Sequence, residues 1–192
     1  MLKFSKISPM VRAIGTMGAV AALVGGVTFA LTSSPVTLAD DTINASASLQ
    51  ISNGGAYSSS VSGFNFSGMV PGGAASPNQT FYLNNNGTNP VSVTVDIPTL
   101  PTFTVLPSGT VDDSQVFLNV SCTSGSSGNF SLTTGNDFNA LSSGVALTGG
   151  PLQPGDTATC TANVSMGGSA VSPTTANSVS SGSFNLDFTG TD

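Results

Sequence analysis

The sequence contains no His, no Glu and no Trp, and only three basic residues in 192. Those three are Lys3, Lys6 and Arg12, all close to the N-terminus. Beyond Arg12 the chain carries nine Asp and no positive charge. Each absence excludes a chemistry. Without His, the Ser-His-Asp and Cys-His arrangements cannot form, nor can a zinc site built on imidazole. Without Lys beyond Lys6, Ser-Lys and Schiff-base chemistry are missing as well. Nucleic-acid binding is not expected, because counterion release needs Lys or Arg at the phosphates. Attraction to an anionic membrane surface is not expected for the same reason. Once the N-terminal segment is removed, no side-chain ion pair can form. Stability then rests on apolar burial, backbone hydrogen bonds and any disulfide.

Paired carboxylates are the remaining route to acid–base catalysis. Asp112-Asp113 is the only tight Asp pair clear of the N-terminal segment, since Asp40-Asp41 sits beside it. Neighbours in a strand point apart, and such pairs in loops are usually solvated, so no catalytic residue and no enzyme activity are expected. Loop Asp and carbonyl groups suit Ca²⁺ better than other ions, but no EF-hand spacing accompanies them, and no cofactor or metal site is expected. Sequons at Asn65, Asn86, Asn119 and Asn163 follow from a composition rich in Asn, Ser and Thr.

What is present begins with a leader. A basic stretch over residues 1–12 precedes a continuous run of apolar and small residues, IGTMGAVAALVGGVTFAL, over residues 14–31. This is the layout of a secretory signal peptide. The run is also about the length of a membrane span, so an uncleaved anchor is the alternative. Glycines at 15, 18, 25 and 26 and the lack of a positive flank speak against the anchor. Two cleavage points fit the small-x-small rule, one after Ala30 and one after Ala39.

Beyond the leader lie short segments of alternating hydrophobicity, separated by turn signals. They include residues 45–52 (with Ala47, Leu49 and Ile51 on one face), the pair Phe64 and Phe66, residues 81–83, and Val91 to Ile97. Val116 to Cys122, Ala158 to Met166 and Phe184 to Phe188 alternate likewise. Shorter strands are expected at residues 103–106, 130–133 and 145–147, and residues 169–180 read as a loop. VPGG, NNNG, GGP and PGD mark turns. No segment beyond the leader has a helical period. About ten strands with frequent turns imply an all-β, jelly-roll-like antiparallel β-sandwich over residues 46–192.

The only two cysteines, Cys122 and Cys160, each fall on the apolar face of an expected strand. In an exported chain they are expected to form a disulfide, joining two strands or the two sheets. Closing that loop is worth about 4 kcal/mol by chain-entropy bookkeeping.

Several motifs resemble those of the TasA/camelysin family of secreted bacterial surface and biofilm-matrix proteins. The leader segment AALVGGVTFA resembles the family's signal peptides, which a dedicated signal peptidase cuts at the position of Ala30. TINASASLQI resembles its first strand; FSGMVPGG followed by FYLNNNGT resembles its PG … F-x-x-x-N-x-G segment; LQPGD resembles its second Pro-Gly motif. The resemblance implies a jelly roll. For some members it also implies fibres, in which the N-terminal segment adds a strand to a neighbouring subunit. Here that donor would be LTSSPVTL, residues 31–38, within an extended segment over residues 31–45, with Leu31, Val36 and Leu38 as its apolar positions. Pro35 interrupts it, and the Cys pair and the absence of basic residues depart from the Lys-rich members. Camelysin's protease activity does not transfer to a chain without His or Glu.

The sequence therefore reads as a secreted structural protein of the cell surface or biofilm matrix. Its expected partners are copies of itself or other surface and matrix proteins, with the signal peptidase during export. Membrane contact is expected only through the uncleaved leader. A monomeric adhesin or glycan-binding module is the alternative, weakened by having only two Tyr, at 57 and 82.

Overall fold

The computed structural model describes residues 36–191, apart from 47, 107, 135, 173–177 and 182. The leader, Ala30 and Leu31 lie outside the described residues. Strands make up most of what is described. β1 is Val36–Ser46, β2 Leu49–Ser52, β3 Ser60–Met69, β4 Gln79–Asn85 and β5 Ser92–Asp96. β6 is Phe103–Leu106, β7 Thr110–Val111, β8 Val116–Ser124, β9 Gly128–Ser131 and β10 Val145–Ala146. β11 is Thr148–Gly149, β12 Thr157–Met166, β13 Val171–Ser172, β14 Ser178–Ser181 and β15 Asn185–Thr191.

Alternation decides which way each strand faces. In β12, Ala158, Cys160, Ala162, Val164 and Met166 are buried, while Thr157, Thr159, Thr161, Asn163 and Ser165 point the other way. β8 repeats this with Val116, Leu118, Val120 and Cys122 inward. These two form the middle of a six-stranded sheet of order β11-β9-β8-β12-β4-β2. The second sheet has seven strands, in the order β10-β5-β15-β1-β14-β6, with β3 also paired to β1. Its inward residues include Val93, Val95, Leu186, Phe188, Phe64, Phe66 and Ile43. The inward faces of the two sheets share one apolar core.

Aromatic rings close the space between the sheets. The Phe81 ring, on β4, lies 6.3 Å from Phe64 and 5.2 Å from Phe188, both on the opposite sheet. Phe184 lies 6.2 Å from Phe66 and 5.3 Å from Phe138. Phe138 belongs to a single helical turn, α1 (Phe138–Leu141), whose N-cap Asp137 accepts from the Ala140 N–H. Sequence periodicity cannot reveal so short a helix; its signal is the Asp cap followed by two buried residues, Phe138 and Leu141.

The expected all-β sandwich is the observed fold, with three differences in detail. Two pairings are parallel, β1 with β14 and β1 with β15, because the N-terminal strand sits beside the C-terminal ones. The alternating stretch over residues 45–52 is divided between the end of β1 and β2, which belong to different sheets. The loop expected over residues 169–180 contains β13 and the start of β14, whose Ser-rich sequence carries little apolar alternation.

Candidate functional site: the N-terminal strand and its slot

β1 is the longest strand described, and it lies inside the seven-stranded sheet rather than at its margin. On one side it pairs antiparallel with β3, from Val36 opposite Met69 to Asn44 opposite Ser60. On the other side Thr37 aligns with Ser180 of β14, and Thr42 to Ser46 align with Asn185 to Thr189 of β15. The expected donor positions are thus partly located. Leu38 is fully buried, opposite Phe66. Val36 opens the strand, opposite Met69. The segment assigned to the donor therefore continues, from residue 36, as a central strand of the chain's own sheet. The domain's core strands begin there rather than at residue 46.

Strict alternation from Leu38 would bury residues 40 and 42. Instead Asp41, Ile43 and Ala45 are the buried positions, because the register shifts between Leu38 and Asp41. Such a bulge moves the chain by one residue and re-aims the side chains beyond it. It turns a carboxylate inward. Asp41 accepts from the Phe184 N–H at 3.1 Å, and the Thr42 N–H donates to the Phe184 carbonyl at 3.2 Å. Phe184 thereby clamps the middle of β1 while its ring packs on Phe66 and Phe138. The sequence offers no signal for the burial of Asp41; only the bulge creates it.

The motifs that carry the family resemblance come together elsewhere. Phe81 is the aromatic centre of the core. Asn85, four residues on and fully buried, donates to the carbonyls of Asn89 (2.8 Å) and Leu152 (2.9 Å) and accepts from the Gly87 N–H (2.9 Å). The Gly155 N–H donates to the Asn85 carbonyl at 2.8 Å. The NNNG and LQPGD segments therefore pin each other. Asp156, at the end of the second, accepts from Ser127 N–H (3.1 Å), Ser127 Oγ (2.7 Å), Thr157 N–H (3.1 Å) and Ser124 Oγ. The two Ser hydroxyls, then the backbone bonds, hold its pKa down to about 2. These residues have structural tasks that are fully occupied.

Cys122 and Cys160 are bonded to each other. They face each other directly across β8 and β12, so the bond joins neighbouring strands of one sheet and not the two sheets. Asp112 caps a 3-10 turn (Asp113–Gln115) by accepting from Ser114 N–H at 3.0 Å and Ser114 Oγ at 2.7 Å. Burial, then the neighbouring Asp112 charge, raises the Asp113 pKa. A second carboxylate pair, not evident from spacing, is Asp96 and Asp187, directly opposite on β5 and β15. Burial, then Asp187, raises the Asp96 pKa. Among the described residues no three metal-ligating side chains of the His, Cys, Asp or Glu type come together. No helix among them is long and apolar enough to cross a membrane. No protein-family model matches the chain, and no curated protein matches it.

Proposed function

We propose that this chain is a secreted structural protein of the cell surface or biofilm matrix, akin to the TasA/camelysin family, with a jelly-roll-like sandwich that assembles by strand addition. The single observation that carries this reading is the position of β1. A strand continuous with the chain's N-terminal segment occupies a central slot, bordered by β3 and by β14 and β15. Strand addition uses backbone hydrogen bonds and apolar side-chain positions and needs no basic residue, which suits a chain with none beyond Arg12. In the monomer the slot is filled by the chain's own residues; in a fibre the first half of β1 would be exchanged between neighbours.

Cleavage after Ala30 belongs to this reading, because it keeps Leu38. Cleavage after Ala39 would remove a fully buried side chain and leave Phe66 and Met69 without their partner strand. Intact mass of the exported product is expected to show a chain beginning at Leu31. All side-chain charges on that product are negative, so acid relieves mutual repulsion and favours assembly. Negative-stain microscopy of the purified product is expected to show filaments below about pH 4, near the carboxylate pKa range. Dispersed monomers at high concentration across pH and calcium would sink the polymer reading.

A further inference from the structure

The two sheets differ sharply in charge. The seven-stranded sheet contains Asp40, Asp41, Asp96 and Asp187. No strand of the six-stranded sheet contains a charged residue. The outer face of that sheet is mainly hydroxyl and amide groups, with Phe117 among them and Asp137 at its margin, bridged to Phe117.

The register sets out three rows across the strands. One is Thr148, Ser131, Ser121, Thr161 and Thr80, a hydroxyl on each of five adjacent strands. At the usual strand spacing this row extends about 19 Å. The next is a chain of amides. Asn136 donates to Asn119 (3.3 Å), Asn119 to Asn163 (3.0 Å), and Asn163 to Asn78 (2.8 Å). Donor and acceptor are used once each at Asn119 and Asn163, leaving an N–H and a lone pair on each for a ligand, with the ladder holding their orientation. The third row holds Thr123, Thr159 and Tyr82, then Ser52 under its own loop. The bridge between Ile51 and Ser58 continues this register, placing Tyr57 opposite Ser52. Both tyrosines of the chain therefore fall in one row, two strand steps or about 10 Å apart.

We infer that this face binds a neutral, extended, β-linked polysaccharide. Sugar hydroxyls both donate and accept, and so do Thr, Ser and Asn side chains; carboxylates only accept. Tyr adds a flat apolar face with a polar tip, on which a sugar ring can lie. The two Tyr positions, about 10 Å apart, offer platforms for separate rings along an extended polymer. Charge selects the occupant: a chain of net negative charge with no basic residue beyond Arg12 repels acidic polymers, and a face whose strands carry no charged residue suits a neutral one. The inference stands apart from fibre assembly, since it uses the sheet that does not contain β1.

The test is depletion of the purified protein, at neutral pH, by insoluble cellulose, chitin and β-1,3-glucan, with alginate as the acidic comparison. Depletion by at least one neutral polymer and not by alginate is expected. Thr159→Glu and Tyr57→Ala are expected to weaken that binding at least about tenfold. Ser92→Glu, on the other sheet, is expected to leave it unchanged. Tyr57 lies on an exposed hairpin shoulder, so its truncation keeps the test decisive if Thr159→Glu fails to fold. No depletion by any neutral polymer would overturn the inference. So would binding that survives both substitutions, or a Thr159→Glu effect seen only as lost self-association in sedimentation velocity, which would make a second copy the occupant.

Discussion

The carboxylate of Asp156 shows how a chain with no cationic side chain beyond Arg12 holds its anions. Its partners are two Ser hydroxyls and two backbone N–H groups, all hydrogen-bond donors and none charged. Its folded pKa of about 2 lies below the ordinary 3.8, so between those values the unfolded chain binds more protons than the native one. The stabilisation is complete above pH 3.8 and is lost as pH falls toward 2. Asp156→Asn is expected to lower the melting temperature at pH 7, with the difference from wild type vanishing near pH 2; melts across that range check it. Asp96 has the opposite sign. Burial and then Asp187 raise its folded pKa, so above that value its charge opposes folding, and protonation relieves the cost as pH falls. Asp96→Asn is expected to stabilise by about 0.5 kcal/mol at pH 7, the scale of an exposed cross-strand pair, and by nothing at pH 3. Denaturant melts at the two pH values distinguish the outcomes.

At the scale of elements, the six-stranded sheet is built around β8 and β12, which align over nine residue pairs from Ala158–Ser124 to Met166–Val116. The disulfide lies within this ladder. It cross-links strands that are already held together, but the loop it closes, between cysteines 38 positions apart, contains β9, α1, β10 and β11. Its stabilisation therefore acts mainly on the unfolded chain. Cys122→Ala with Cys160→Ala is expected to cost about 2–4 kcal/mol, read by denaturant unfolding, with the native strand signature kept by circular dichroism. β3 shows a different device. Among the described residues it pairs as a strand only with β1, and its Asn65 carbonyl accepts from the Gln79 side chain at 3.0 Å. Gly63 and Gly68 there have φ of 87° and 75°, with open space around an added Cβ, so the backbone and not the packing requires glycine. Twisted, bulged edges of this kind discourage pairing with a passing strand.

At the scale of the whole molecule, the first and last strands described, β1 and β15, meet in one sheet. β1 enters between β3 and the closing strands, so the last elements made must pack around the first. A variant beginning at residue 40 is expected to be less stable than one beginning at residue 31 by about 2–5 kcal/mol, the cost of deleting a buried Leu side chain, with lost ladder bonds added. A synthetic peptide covering residues 31–39 is expected to restore much of the difference. Comparison of thermal melts with and without the peptide checks both points, and an unchanged melting temperature would show that the first half of β1 is dispensable.

Much of this was legible in the residues. Strict alternation marked β8, β12, β5 and β15, because a strand with one face in the core writes its orientation into every second position. The turn residues marked where those strands end. Composition alone removed every arrangement that needs His, Glu or a Lys beyond Lys6. Local pattern could not say which strands are neighbours, because pairing joins residues far apart in sequence: Phe81 meets Phe188, and Asp41 meets the Phe184 N–H. Nor could it place Asp41 inside, since that depends on one bulge in β1, or align Asn119, Asn163 and the hydroxyl row across strands. The amino-acid sequence by itself determined strand-forming segments, charge and available chemistry, which are properties of single residues and near neighbours. The tertiary structure decided register, the slot around β1 and the array on the outward face of the six-stranded sheet, because these arise only when two apolar faces close over a shared core.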